Sequence, residues 1–215
     1  SIDANKGAYS SAWMIIFGVI AAIMVLIGIY HIRILPSTQV PVTTKKTTSE
    51  IKKELIAVIG NFFTKKHIFY YIAFIILYRL AEGFIMKIAP LFLRASRDVG
   101  GLGLSLTEIG TLNGIFGSAA FVLGSLLAGI YVSKFGLKKT LFTLCCIFNL
   151  PFVAYTFLAV AQPTNVYLIG TCITMEYFGY GFGFVGLTLF MMQQIAPGKH
   201  QMSHYAFASG IMNLG

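Results

Sequence analysis

Apolar runs long enough to cross a bilayer recur along this chain, and no other feature restricts its fold so tightly. They fall at about residues 12–34, 68–94, 107–133, 140–161 and 165–192, and a further run opens near 203. Twenty residues of helix, rising about 1.5 Å each, cover the roughly 30 Å of a hydrocarbon layer. Inside lipid each backbone group must be bonded within its own segment. The runs are therefore expected to be helices, although many of their β-branched and aromatic residues would favour strands in water. Composition agrees: 57% of the residues are hydrophobic and 11% charged, about half the charge of an average soluble domain. The expected fold class is an all-α, polytopic membrane helix bundle. Cys145, Cys146 and Cys172 lie inside the runs, so no disulfide framework is implied. The sequence opens at Ser1 without a basic leader and stops at Gly215 inside an apolar stretch, which leads us to expect a fragment of a longer protein.

The cytoplasmic side of a membrane retains Lys and Arg, so the basic residues between runs give an orientation. One side holds Arg33, Lys45, Lys46, Lys52, Lys53, Lys65, Lys66, Lys134, Lys138, Lys139 and Lys199; the other holds Lys6, Arg94 and Arg97. The Lys-rich side is expected to be cytoplasmic. Because the net charge of +9 is confined to alternate loops, topology explains it and no nucleic-acid partner is expected.

The connection 35–67 is too polar to span. Pro36 and Pro41, with Ser37, Thr38, Thr43 and Thr44, predict an extended start, and Thr47 with Glu50 fits a capping box that would begin a helix. Ile51, Leu55, Val58, Ile59, Phe62 and Phe63 then fall on one face, with Lys52, Lys53 and Glu54 toward the other. That pattern suits a helix resting in the membrane interface; a flexible linker is the alternative. Ser105 and Glu108 form a second capping box after Gly100, Gly101 and Gly103. Gly124 with Ala128, and Gly179 with Gly183, are small residues four apart that let helix backbones approach closely.

A charge inside the membrane costs several kcal/mol unless paired or hydrated, so each one invites a function. The second run carries Arg79, Glu82 and Lys87. Arg79 and Glu82, three apart, can pair or face one cavity together. The fifth run carries Glu176 near its midpoint, close to Tyr177 and Tyr180, with no basic residue in the same run. A titratable acid at mid-membrane is what proton coupling requires, so Glu176 and Glu82 are the proton-coupling candidates. The competing reading is an interhelical salt bridge from either acid to Arg79 or Lys87. Arg79 and Lys87 suit anionic groups of a substrate, and Asn113 and Tyr180 suit sugar hydroxyls; these four are the substrate-path candidates. His200 and His204 lie four apart, but His31 and His67 are on distant segments, so no metal site is expected. With no phosphate-binding glycine loop, no triad pattern and no paired cysteine motif, neither catalytic residues nor a cofactor is expected. A membrane-embedded enzyme or assembly subunit, its charges serving only to pair, remains the competing class.

The most specific pattern follows the third run: Gly129-Ile130-Tyr131-Val132-Ser133-Lys134-Phe135-Gly136-Leu137-Lys138-Lys139. It resembles the loop G-x-x-x-D-R-x-G-R-[RK] of the major facilitator superfamily, which joins the second and third helices of each six-helix half on the cytoplasmic side. Here Ser133 stands in place of Asp, and Lys134 and Lys138 in place of Arg. Gly129, Ser133, Lys134, Gly136, Lys138 and Lys139 would thus form the cytoplasmic gating loop. Leu77-Tyr78-Arg79-Leu80-Ala81-Glu82, Gly101-Leu102-Gly103-Leu104-Ser105, Glu176 to Phe184 and His204-Tyr205-Ala206 are similar to the muropeptide permease branch, the AmpG-like proteins.

That resemblance implies twelve helices in two halves, alternating access, and proton-linked import of anhydro-muropeptides from cell-wall turnover across the bacterial inner membrane. Residues 1–34 would then be the last helix of the N-terminal half, 35–67 the cytoplasmic linker with its amphipathic interfacial helix, and 68–215 the truncated C-terminal bundle, helices seven to eleven. The implied partners are a muropeptide-like small molecule, protons, the lipid bilayer and the protein's own N-terminal half. Another organic solute, a sugar or an acyl carrier, is the alternative cargo.

Overall fold

The structure is a computed structural model that describes residues 2–35 and 47–214, with side chains described from residue 10 onward. The extended start expected at Pro36, Ser37, Thr38, Pro41, Thr43 and Thr44 lies outside the described residues, as do Lys45 and Lys46. Two compact units are present, 1–51 and 52–215.

The first unit contains α1, Ile2–Ile34. It is apolar on all sides and exposed throughout its described side chains, as a helix whose solvent is lipid can be. Glu50 accepts a hydrogen bond from the Thr47 backbone N–H at 2.8 Å, one half of the expected capping box, and starts α2, Thr48–Phe63.

The second unit holds the rest of α2 and seven further α-helices among the described residues: α3 Ile68–Arg94, α4 Leu106–Thr111, α5 Ser118–Phe135, α6 Leu137–Asn149, α7 Pro151–Ala161, α8 Val166–Phe190 and α9 Gln201–Met212. Among the described residues, four stretches are long and apolar enough to cross a membrane: Ser10–Ile34, Ile68–Arg94, Leu106–Phe135 and Leu137–Ala161. The third is α4 and α5 joined by a π-helical segment, Leu112–Gly117. The fourth is α6 and α7, broken where Pro151 opens α7; a proline there has no N–H to continue the ladder. Ser105 and Glu108 make the full reciprocal capping box that starts α4.

The fifth expected run forms the 25-residue α8, but its glycines, tyrosines and Glu176 leave it less apolar than the other four. Burial explains the difference, since a helix enclosed by protein need not be as apolar as one facing lipid. Helix α8 is the axis of the unit, with α5, α6 and α7 packed against it. A Cβ on Gly124 would strike the Phe178 carbonyl, and one on Gly181 the Phe121 carbonyl. Gly183 lies against the Phe148 side chain, and a Cβ on Gly179 would come within 2.8 Å of the Ile147 carbonyl. The small-residue pairs thus hold backbones in direct contact, and Ser125 donates to the Gly181 carbonyl at 3.1 Å.

The signature segment is not a loop. Helix α5 ends at Phe135, α6 begins at Leu137, and Gly136 alone turns the chain, with φ 80°, a value that favours glycine. At the Lys-rich end, the Lys65 ammonium donates to the carbonyls of Ile195 and Pro197, closing the π-helical tail Met191–Ile195 that continues α8. At the other end, Arg97 donates to the carbonyls of Gln162 and Pro163, both at 2.9 Å, and Gln162 returns a bond to the Gly100 carbonyl.

Candidate functional site

The apolar interior of the second unit falls into two clusters. One gathers Ile75 and Tyr78 of α3 with Leu144, Phe148, Phe182, Leu187 and Phe190; the other gathers Leu93 of α3 with Leu112, Leu158, Ile169 and Ile173. On α3 the buried charged residue between the clusters is Glu82; on α8 it is Glu176. Both acids are therefore held at one seam, where neither core closes over the other. They are 7% and 5% exposed, and burial of this degree requires a partner for each.

Glu82 finds a cation on its own helix. Its Oε2 lies 3.1 Å from Arg79 Nε, the pairing geometry that a three-residue helical offset permits. Arg79 Nη1 also donates to Asn213 Oδ1 at 2.6 Å, which ties α3 to the residue that ends α9. A pocket of about 240 Å³ opens beside this group, lined by Arg79, Glu82, Gly83, Met86, Lys87, Tyr180, Met212 and Asn213. Lys87, one turn beyond Gly83, has no partner among the described residues. The Tyr180 ring stands between Phe121, Phe148 and Phe184, with centroids 5.2 to 5.9 Å away, so its position is set by aromatic packing. The pocket thus offers one compensated cation, one uncompensated cation and a phenol: a small site for an anion with hydroxyl groups.

Glu176 has different company. Its Oε2 accepts from the Tyr155 hydroxyl of α7 at 3.0 Å, and among the described residues it forms no ion pair. It lies within electrostatic range of Glu82, and Tyr180 lies within that range of Glu82, Arg79 and Glu176. A buried carboxyl bonded to a neutral phenol can exist in either protonation state, because a tyrosine hydroxyl can donate to the carboxylate or accept from the acid.

Three of the four substrate-path candidates, Arg79, Lys87 and Tyr180, meet in the pocket, and the coupling candidate Glu82 lines it with them. Asn113 does not. It belongs to the π-helical segment, where its Oδ1 is buried without a hydrogen-bond partner. Ser133 donates back to the Ile130 carbonyl of its own helix at 3.0 Å, and Lys134, Lys138 and Lys139 are exposed around Gly136. His204 meets the His200 ring edge-on, with centroids 6.0 Å apart, and approaches the Val58 carbonyl at 3.3 Å; no group of three potential metal ligands occurs among the described residues. Sequence reasoning missed Tyr155 and Asn213. Each is joined to its partner only by the packing of separate helices, which leaves no trace in residue spacing.

A family model described as Major Facilitator Superfamily matches residues 7–215. Two relatives, each named anhydromuropeptide permease, come from Escherichia coli strain K12 and Escherichia coli O157:H7, and both are 22% identical over 175 residues. The match covers 81% of this chain and 34% of each relative, so the chain spans about a third of the length of the curated relatives it matches. No solved structure matches it.

Proposed function

Because the chain belongs to the major facilitator superfamily, a family of transporters, we propose that it is the C-terminal part of a proton-coupled importer of anhydro-muropeptides in the bacterial inner membrane. In this reading residues 1–34 are the last helix of the N-terminal half, 35–67 the cytoplasmic linker with its interfacial helix, and 68–215 most of the C-terminal bundle. The Lys-rich end, with Gly129, Ser133, Lys134, Gly136, Lys138 and Lys139, faces the cytoplasm.

The observation that carries the reading is the pocket shared by Arg79, Glu82, Lys87 and Tyr180 at the seam between the two apolar cores. Arg79 is already neutralised by Glu82, so Lys87 is the group with charge to offer the carboxylates of a peptide stem, and Tyr180 can bond sugar hydroxyls. In this scheme an N-terminal half would supply the opposite wall of the path. Glu176 is the proton carrier in this scheme, since nothing on its own helix fixes its charge; Glu82 serves to hold Arg79.

The names of the two relatives support this cargo. Uptake of labelled anhydro-muropeptide into vesicles by the full-length protein tests it: saturable accumulation that rises with an imposed pH gradient is expected. Uptake equal to that of control vesicles, beside gradient-driven uptake of a sugar or an acyl carrier, would remove the cargo and keep the transporter.

A further inference from the structure

Helix α2 shares its apolar surface between two neighbours. At about 100° per residue, Val58 and Phe62 lie on one side of its apolar arc, and Leu55, Ile56, Ile59 and Phe63 continue the arc from there. Val58 and Phe62 are buried, Phe62 against Phe207 and His204 of α9, with centroids 5.6 and 5.7 Å away. Leu55, Ile56 and Phe63 are 55%, 69% and 44% exposed. The exposed part does not end with the helix. Phe63 meets Phe69 at 6.4 Å between ring centroids, and Phe69 and Tyr70 stand 70% and 75% exposed in the first turn of the membrane-spanning α3. An apolar surface thus continues from a spanning helix onto α2 through the contact of Phe63 with Phe69, a pattern that suits a helix at the edge of the hydrocarbon layer.

Charge surrounds the same surface. Lys52, Lys53 and Lys66 are exposed, and Lys52 projects on the azimuth of Ile56 and Phe63, where its apolar stem can lie along the arc while its ammonium reaches outward. Lys65 is not part of this group. It is turned inward to the carbonyls of Ile195 and Pro197, and burial lowers its proton affinity below that of an ordinary lysine.

We propose that residues 52–70 form a binding surface for anionic phospholipid, with Leu55, Ile56 and Phe63 set among the upper acyl carbons and Lys52, Lys53 and Lys66 on the headgroup phosphates. A lysine at a negatively charged membrane surface is worth roughly a fivefold preference, so three of them favour anionic over zwitterionic lipid strongly. The inference concerns the linker alone and stands whatever the cargo is.

The experiment places bimane at Ile56→Cys, or at Asn61→Cys on the opposite face, in the full-length protein freed of its other cysteines and reconstituted in phosphatidylcholine vesicles. Equal small fractions of 5-doxyl phosphatidylglycerol or 5-doxyl phosphatidylcholine are then added as quenchers. At Ile56→Cys the anionic quencher should act several-fold more strongly than the neutral one, neither should act at Asn61→Cys, and Lys52→Gln with Lys53→Gln and Lys66→Gln should erase the difference. Absence of quenching at Ile56→Cys would mean that protein covers the face, and equal quenching at both labels that α2 has no lipid side. Equal action of the two quenchers at Ile56→Cys, or a preference that survives the triple substitution, would remove the role of the lysines. Each of these results overturns the proposal.

Discussion

Glu82 and Glu176 stand at the same seam of the bundle, nearly equally buried, and keep opposite company. Glu82 lies 3.1 Å from a guanidinium on its own helix; Glu176 receives one neutral hydroxyl from a neighbouring helix. The first arrangement sets a carboxyl against a guanidinium at salt-bridge distance and contributes to holding the fold, because each side chain meets its partner there. The second leaves the acid free to exist in two states. The number of buried acids therefore says little about coupling; what matters is whether a fixed cation accompanies each.

The sharpest way to break this contrast is Glu82→Gln. It leaves the partly buried Arg79 with amide oxygens to accept from it but no counter-charge, and removing the charge of one partner of a buried pair costs about 3–5 kcal/mol in soluble hosts. Thermal melting of the purified full-length protein should fall markedly, with substrate binding and transport falling beside it. A variant that melts and binds like the wild type would show that the pair is dispensable.

Glu176→Gln should affect coupling alone. The amide keeps the size and can still accept from Tyr155, so melting should change by no more than about 1 kcal/mol, while pH-driven accumulation is abolished and exchange of bound solute across the membrane continues. Full accumulation in this variant would move the coupling site elsewhere.

The smallest effect is expected from Tyr155→Phe, which removes one hydrogen bond worth about 1 kcal/mol. Accumulation should drop by roughly fivefold with exchange intact, and its pH profile should change in shape. An unaltered pH profile would reduce Tyr155 to packing.

The runs themselves were legible in sequence, because the demands of lipid on backbone hydrogen bonds leave helices as the only solution. Residues 68–94 were expected and Ile68–Arg94 is found. The turn at Gly136 was read as longer than it is: the apolar runs stop at 133 and resume at 140, and the resemblance implied a loop between them, yet a helix that starts outside the hydrocarbon can carry Lys138 and Lys139 in its first turn without the cost of burying charge in lipid. Neither π-helical segment could be foreseen, since one shifted hydrogen-bond register leaves no mark on composition. At the site, the pairing of Arg79 with Glu82 was open to a reading by helical offset. Asn113 was placed with the substrate path from its polarity alone, and the π-helical segment holds it outside the pocket.

The glycines at the contact between α5 and α8 set limits on change over generations. Where a carbonyl from the next helix occupies the space of a missing Cβ, as at Gly124 and Gly181, even alanine forces two backbones apart. A lineage drifting toward a different cargo has little freedom there. Its variation has to accumulate instead on the walls of the pocket, at positions such as Met86 and Lys87, where a longer or shorter side chain meets open space rather than a neighbouring main chain.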